Sequence, residues 1–525
     1  MMVIPRFGQI RQELLLVPPA SLQVTKWSGL RQFRVTKPVK ILFHNRAVLA
    51  GFLRSASQLL VCVTAMVGSM VLTGCQHFHP EPLSAEDTAS ALESRSLADP
   101  GLKTFLEQNL GKDLDQWPLR QWDFERFTLA AFYFHPSLDV ARAQWGVAQA
   151  AIVTAGGRPN PVVSITPEYN FNSPAGVSPW LPAVKVDLPI ETAGKRGHRV
   201  TRAKELSESA RLNIATTAWQ VRSRLRLSLL EWSSAQQHEA LLRQQLAVAE
   251  KIATQLEQRF RAGAISSFEL ASARIALAKV QVDLEDFRRR TTEALARVAE
   301  AIGVPARVLA ETSIKFDWNL ASNAEPTSSE MRRDALHTRP DILAALAEYA
   351  ASQSALQLEL AKQYPDVQLG TGYQWDQGEN KWALGVSMEL PVLNRNEGPI
   401  AEAEARRTEA AARFEAIQAG ALGQIDRANA NYRSAEGNLA TVEKLLAAQK
   451  KQQEAIAAQF KAGAADQLEQ LNAQAELLAI EVLRLDTSAR TMDALGQLED
   501  AMQRPFDALS SIEQNPRMTS QNRNP

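Results

Sequence analysis

At 525 residues the chain is too long for one ordinary globular core. Its 58 Lys+Arg are matched by 58 Asp+Glu, which excludes the basic excess of a nucleic-acid binder. With two Cys and seven His, a disulfide scaffold and a Cys-based zinc site are excluded as well. Long stretches of Ala, Leu, Glu, Gln, Arg and Lys favour helix.

Residues 1–45 precede any signal-like pattern and read as an extension of the start site. Residues 46–74 have the order of a secretory signal: Arg46 and Arg54, then an apolar run from Leu59, then small residues before Cys75. The run is shorter than the ~20 residues of a spanning helix. Leu72-Thr73-Gly74-Cys75 resembles the bacterial lipobox, which implies lipid (palmitate) attachment at Cys75; Gln76 in place of Asp implies sorting to the outer membrane. Cys62 lies inside the signal. Residues 75–124 read as an N-terminal linker segment and are the hardest to place. Asp99-Pro100 can start a short helix and Asp123 to Phe134 reads as another, matching Glu330 to Arg339. His77 and His79 could hold a metal only weakly, and a linker explains them.

The rest is written twice, over 125–325 and 326–502, with 503–525 left as a polar, disordered tail. Pro136 and Pro161 meet Pro340 and Pro365 at an offset of 204. "VDLPI" meets "MELPV" at 202, and the turns "FRAGA" and "FKAGA" meet at 200. Duplication of this kind constrains architecture more than local propensity does. Each half predicts a helix (137–157; 341–363), two extended segments, a long helix (197–262; 397–462), a tight turn and a return helix to 302 or 502. Gly263 and Gly463 suit C-terminal caps, and Ser266 and Asp466, with Glu269 and Glu469 three residues on, predict capping boxes. The two shorter helices of each half, stacked end to end, match the long one at ~90–100 Å. Leu225, Leu229 and Trp232, and Ile275, Ala278 and Val282, read as seams for neighbouring helices.

Four segments alternate apolar and polar over about 11 residues, the length of a tilted strand across a bilayer. Val163 and Ile165 alternate with Ser164 and Thr166; Val184 and Val186 with Lys185 and Asp187; Leu369 with Gln368; Leu384 and Val386 with Ser387. Apolar-out, polar-in alternation is the membrane-barrel pattern. Tyr169, Phe171, Trp180, Tyr373, Trp375 and Trp382 gather at one end and suggest an interfacial aromatic girdle. The alternative is a soluble hairpin with one wet face. Four strands cannot close a barrel, and an open edge in lipid is costly. Two copies would give eight strands with a filled interior, and three would give twelve with room for a lumen, which the polar faces favour.

Together these features resemble the TolC-like outer-membrane efflux family over residues 125–502; "LPIETAGKRGHR" and "LPVLNRNEGPIAEAEAR" resemble its cobalt–zinc–cadmium, CzcC-like branch. The resemblance implies a mainly α fold with a small membrane β-barrel part. Long helical hairpins would form a periplasmic tunnel, and three protomers would close a 12-stranded barrel in outer-membrane lipid. It implies a homotrimeric duct for heavy-metal cations, fed by a proton-driven inner-membrane pump of the resistance-nodulation-division class and a periplasmic adaptor (a membrane fusion protein). It also implies adaptor contact at the hairpin tips, carried here by Arg261, Gly263, Ser266, Lys461, Gly463 and Asp466. A solvated helix end is the other reading of Arg261 and Lys461. Asp466 and Glu469 could contribute to a carboxylate ring at the entrance, although capping already explains them. Rival readings are a duct for drugs or other organic solutes, and a periplasmic adaptor or structural coiled-coil lipoprotein. Two hairpins and four barrel-like strands speak against the last. No catalytic residue, cofactor or metal ligand is expected, and no phosphate loop surrounds Gly194-Lys195. His198 and the basic cluster Lys195, Arg196 and Arg199 read as a solvated elbow.

Overall fold

A computed structural model describes residues 77–174, 176–316 and 328–505. Two compact units are distinguished. One runs over residues 16–91, of which 77–91 are described and hold most of α1, Ala85–Glu93. The other carries everything that follows. Its elements in order are α2 (Pro100–Leu110), β1 (Gln121–Trp122), α3 (Phe124–Phe134), α4 (Pro136–Gly156), β2 (Val162–Tyr169), β3 (Trp180–Ile190), α5 (Lys195–Arg261) and α6 (Ser267–Ile302). There follow α7 (Ala306–Ala310), β4 (Ser313–Ile314), α8 (Ser328–Thr338), α9 (Pro340–Ala361), β5 (Val367–Asp376), β6 (Glu379–Met388), α10 (Glu397–Lys461) and α11 (Gln467–Met502). The duplicated plan predicted from the sequence is present in both halves, and each long helix falls within two residues of its expected ends.

Helices α5 and α10 have 67 and 65 residues, so each is roughly 100 Å long. Helices α4 and α6 both pack on α5, while α9 and α11 pack on both α5 and α10. The shorter helices therefore form composite columns, and the order across the unit is α4/α6, α5, α9/α11, α10. Where α6 ends, Gly303 adopts φ +88°, and a Cβ there would lie 2.9 Å from the Phe134 carbonyl at the head of α4. Where α11 ends, the Ala501 carbonyl accepts from Arg339 Nη1 at 2.5 Å, at the head of α9. Both columns are thus stacked end to end, one through a glycine and one through a buried arginine whose guanidinium is also held by Asp341.

The main core sits at the first of these joints. Leu225 and Leu229 of α5, Ile302 of α6 and Leu138 of α4 are fully buried there. The segment that was hard to place from sequence covers them: Leu102, Leu106 and Trp122 are buried in the same cluster, and Trp122 stacks on Phe127 at 5.3 Å. Asp99 and Asp123 cap α2 and α3 as their positions predict. A two-residue parallel pairing of β1 with β4 ties this layer to the end of the first half. A smaller core occupies the corresponding joint of the second half, with Ile425, Leu498, Met331 and Met502. Leu225 and Leu229 are seam residues as expected. Ile275 and Val282 remain exposed within the chain.

The basic cluster below β3 differs from a solvated elbow. Lys195 is 7% exposed. Its Nζ donates to Asp366 Oδ1 and to the Tyr364 carbonyl, both at 2.7 Å. Thr192 adds its N–H to the same carboxylate at 2.9 Å and its hydroxyl to the Pro365 carbonyl at 2.6 Å. Arg196 Nε donates to the Gly156 carbonyl at 2.7 Å, and Arg199, paired with Glu191, reaches the Ala155 and Gly157 carbonyls at 3.4 Å. Cations thus satisfy the last carbonyls of α4 and of the turn after α9, where the helix dipole favours positive charge. Local sequence reading could not find these bonds, because the partners lie about 40 and 170 positions away.

Two outcomes follow. Gly303→Ala should lower stability by about 1–3 kcal/mol, through backbone strain and collision with a carbonyl. Gly263→Ala, with φ +73° but open space around it, should cost only about 1–2 kcal/mol of left-handed strain. Thermal unfolding of the two variants should rank them in that order. Lys195→Met should cost about 1–3 kcal/mol by leaving the Tyr364 carbonyl without its donor and Asp366 without its cation; the unfolding midpoint reports it.

Candidate functional site

Strands β2, β3, β5 and β6 form one antiparallel sheet in that order. They run 8, 11, 10 and 10 residues, slightly shorter than the sequence suggested at β2. Register decides which side chains share a face, because neighbours alternate with period 2. Val163 pairs with Val186, Val186 with Thr371, Leu369 with Val386, and Tyr373 with Trp382. Apart from Thr371 and Asn380 that face is apolar, and it is bare: Trp382 is 81% exposed and Leu384 74%. The opposite face aligns Ser164 with Lys185, Asp187 with Gly370, Gln368 with Ser387 and Gln374 with Lys381. Lys185 Nζ lies 2.9 Å from Asp187 Oδ1. Gly370 makes room for this pair, since a Cβ there would sit 2.6 Å from Asp187 Oδ1.

The aromatic residues lie at the turn end of the sheet. Tyr169 is opposite Trp180 in register, with ring centroids 5.0 Å apart, and Tyr373 is opposite Trp382 at the same distance. Phe171 packs on Tyr169 at 5.0 Å just beyond β2, and Trp375 follows Tyr373 on the same face of β5. Tyr373 Oη donates to Asn380 Oδ1 at 2.6 Å. Strands β2 and β6 are the outer strands, and among the described residues neither has a further strand beside it. Among those residues, no helix is long and apolar enough to cross a membrane.

At the far ends of the long helices the two turns have the same construction. Gly263 N–H donates to the Phe260 carbonyl and Ala264 N–H to that of Arg259; Gly463 and Ala464 repeat this with Phe460 and Gln459. Both glycines take positive φ, +73° and +76°, as this helix-ending motif requires. Asp466 and Glu469 form a complete capping box. Ser266 caps only the Glu269 N–H, and its hydroxyl bonds the Glu269 carboxylate at 3.3 Å, so the first box lacks its return bond. The turns also meet one another: Arg259 Nη2 lies 2.8 Å from Asp466 Oδ2, and Gln255 Nε2 donates to Gln467 Oε1 at 3.0 Å. Arg259 and the Glu469 backbone N–H hold the Asp466 carboxyl below the usual carboxylate range. Arg261 pairs along its own helix with Glu257 at 2.8 Å. Lys461 is exposed at the end of α10.

Further up, α5 is joined to α11 by polar links that sequence reading missed. His238, buried, sets Nε2 2.8 Å from Asp486 Oδ1 and Nδ1 2.8 Å from the Ser234 carbonyl, and stacks on Phe287. Arg222 pairs with Glu499 at 3.1 Å, and both side chains are nearly buried. Trp219 Nε1 donates to Asp500 at 3.0 Å, and Ser223 bonds the same carboxylate. Burial raises the Asp500 carboxyl above its ordinary range, against these donors. Leu72, Thr73, Gly74 and Cys75 lie outside the described residues. Among the described residues no cluster of three or more His, Cys, Asp or Glu could hold a metal.

Known proteins are similar to this chain in sequence or in fold. The chain is 27% identical to the cobalt-zinc-cadmium resistance protein CzcC of Cupriavidus metallidurans over 41% of its own length and 51% of that protein's. It is 25% identical to the pyoverdine export outer membrane protein OpmQ of Pseudomonas aeruginosa, over 39% and 44%. The matches thus span about half the length of these relatives. The crystal structure of the outer membrane protein VceC of Vibrio cholerae superposes with a TM-score of 0.60 at 20% identity, covering 73% of this chain and 96% of that one. The family described as Outer membrane efflux protein matches residues 133–304 and 331–503. Those two spans coincide with the two halves of the duplicated fold, and the chain belongs to the outer membrane efflux protein family.

Proposed function

We propose that three copies of this chain assemble into a duct through the outer membrane that exports heavy-metal cations from the periplasm. The observation that carries the reading is the sheet: one face largely apolar and bare, the other largely polar, and no further strand beside either edge among the described residues. In lipid each unpaired backbone group costs several kcal/mol, so the edges must meet those of other copies. Twelve strands leave room for a lumen, and the polar face with Lys185 and Asp187 lines it. Tyr169, Phe171, Trp180, Tyr373, Trp375 and Trp382 then form the girdle at the outer rim, and the hairpins form the periplasmic tunnel.

The lipobox Leu72, Thr73, Gly74 and Cys75 would add a lipid anchor at Cys75. A periplasmic adaptor, the membrane fusion protein, would meet the hairpin tips around Arg261, Gly263, Ser266, Lys461, Gly463 and Asp466. A proton-driven inner-membrane pump of the resistance-nodulation-division class would drive export, and the duct itself would catalyse nothing. Asp466 and Glu469 would place carboxylates near the entrance, which favours cations. Support for a metal substrate comes from the similarity to CzcC. The similarity to OpmQ favours a second reading, an organic solute such as a siderophore.

A strain lacking this chain, challenged with zinc, cobalt and cadmium and in parallel with siderophores and drugs, separates the two. Lost tolerance to the cations alone supports the first reading, and loss confined to organic solutes overturns it. Radiolabelled palmitate should mark the protein and fail to mark Cys75→Ala. At the tips, the depressed Asp466 carboxyl contributes stability that is present above the ordinary carboxylate range and lost as pH falls through its lowered value. Protection of the Glu469 amide from hydrogen exchange, taken relative to its intrinsic rate at each pH, should therefore hold down through that range and fall below it, whereas Asp466→Asn should remove that fall.

A further inference from the structure

The two ends of the sheet carry opposite charge. On the side where strands give way to helices, residues 155–161, 191–199, 362–366 and 393–397 hold six Lys and Arg against three Asp and Glu. At the turn end, residues 168–180 and 376–381 hold three Asp and Glu against one Lys, Lys381, which is paired with Asp376. On the helix side a cation adjoins every strand. Arg158 precedes β2, Lys195 and Arg196 follow β3, Lys362 precedes β5 and Arg395 follows β6.

Half of that charge is used inside the chain. Lys195 is held by Asp366, Arg199 by Glu191 and Lys362 by Glu359. Arg158, Arg196 and Arg395 are exposed, and none of them has a carboxylate within ion-pair distance among the described residues. Arg196 gives its Nε–H to the Gly156 carbonyl at 2.7 Å, which fixes its guanidinium close to Arg158. Both of its Nη groups stay without a partner among the described residues. In the second half Arg395 is placed by its neighbour Asn396, whose Nδ2 donates to the Glu359 carbonyl of α9 at 2.8 Å. Of the three carboxylates on this side, Glu397 alone lacks a partner among the described residues. Free guanidiniums thus outnumber free carboxylates by three to one.

These guanidiniums stand at the border of the apolar face. Arg158 lies five residues from Val163, Arg196 six from Ile190, and Arg395 three from the exposed Val392. With the apolar face in hydrocarbon, charges at that distance reach the headgroups, and long side chains can extend to meet them. A guanidinium offers its N–H groups as a planar fork that matches phosphate oxygens. A cluster of such cations attracts anionic lipid over neutral lipid.

We infer that this border binds the headgroup phosphate of an anionic glycerophospholipid, with Arg158 and Arg196 as the core of the site and Arg395 as its counterpart in the second half. The inference rests on the reading of the sheet as a membrane element. It goes beyond that reading by naming the headgroup chemistry and the leaflet, the one on the side of the hairpins.

The full-length protein, purified in detergent and stripped of lipid, is titrated with phosphatidylglycerol or with phosphatidylcholine of the same acyl chains. Native mass spectrometry counts the lipids retained. The unaltered protein should retain several-fold more phosphatidylglycerol. The double variant Arg158→Gln and Arg395→Gln removes side chains with no partner among the described residues, so the fold is kept; the preference should drop at least two-fold. Adding Arg196→Gln should abolish it, and Lys381→Gln at the turn end should leave it intact. Equal retention of the two lipids, or a preference unchanged in the triple variant, would overturn the inference. So would loss of the bound lipid to inorganic phosphate at matched ionic strength, which would mark a site for a soluble anion. An unchanged preference with weakened association of copies would assign the cations to contact between copies instead. If the unaltered protein is a soluble single chain that retains neither lipid, the membrane reading itself is wrong and the inference falls with it.

Discussion

Everything in this chain depends on a sheet that cannot be satisfied alone. Among the described residues the largely apolar face of the four strands is bare, and no further strand lies beside β2 or β6. Water would solvate those edges but not the apolar face. Lipid would accept the face but not the edges. The closure with other copies proposed above would resolve both, and would in turn set where the helices stand. The cations beneath the sheet hold that geometry: Lys195, Arg196 and Arg199 bond the chain where helices give way to strands, so sheet and helices are fixed to one another by short hydrogen bonds.

The helical part answers a different problem. A rod of roughly 100 Å exposes most of its length, and no single core can cover it. Here the solution is lateral, in columns. Two are single helices, and two are made of shorter helices stacked end to end at Gly303 and at Arg339. Buried apolar residues concentrate at these joints, where α2 and α3 add an outer layer to the first. From the second joint onward α10 buries a narrow seam, Ile425, Ala428, Tyr432, Leu439 and Leu446, at successive spacings of three, four, seven and seven. Such a seam serves one neighbour and leaves the rest of the helix surface to water, or to another copy.

Much of this was legible in the sequence because the signals were periodic or repeated. The offsets of 204, 202 and 200 located the halves, and period-2 alternation fixed which strand residues share a face. The turns at Gly263 and Gly463 were legible because positive φ selects glycine. Contacts between distant positions were not. Lys195 with Tyr364, His238 with Asp486 and Arg222 with Glu499 carry no local pattern, and a buried Lys or His looks in sequence like a solvated one. The Ser266 box failed for a local reason, since the serine hydroxyl itself occupies the Glu269 carboxylate that should have bonded back. Residues 92–122 were obscure because they make no repeat of their own and earn their place only by covering the first joint.

The central claim is that the open sheet is closed by other copies of the same chain. Native mass spectrometry of the full chain, extracted from outer membranes in mild detergent, tests it directly, with migration on a denaturing gel before and after boiling as its companion. The account predicts a species of three copies that resists detergent and collapses to single chains on heating. A single copy at every detergent concentration, migrating alike before and after boiling, would contradict it.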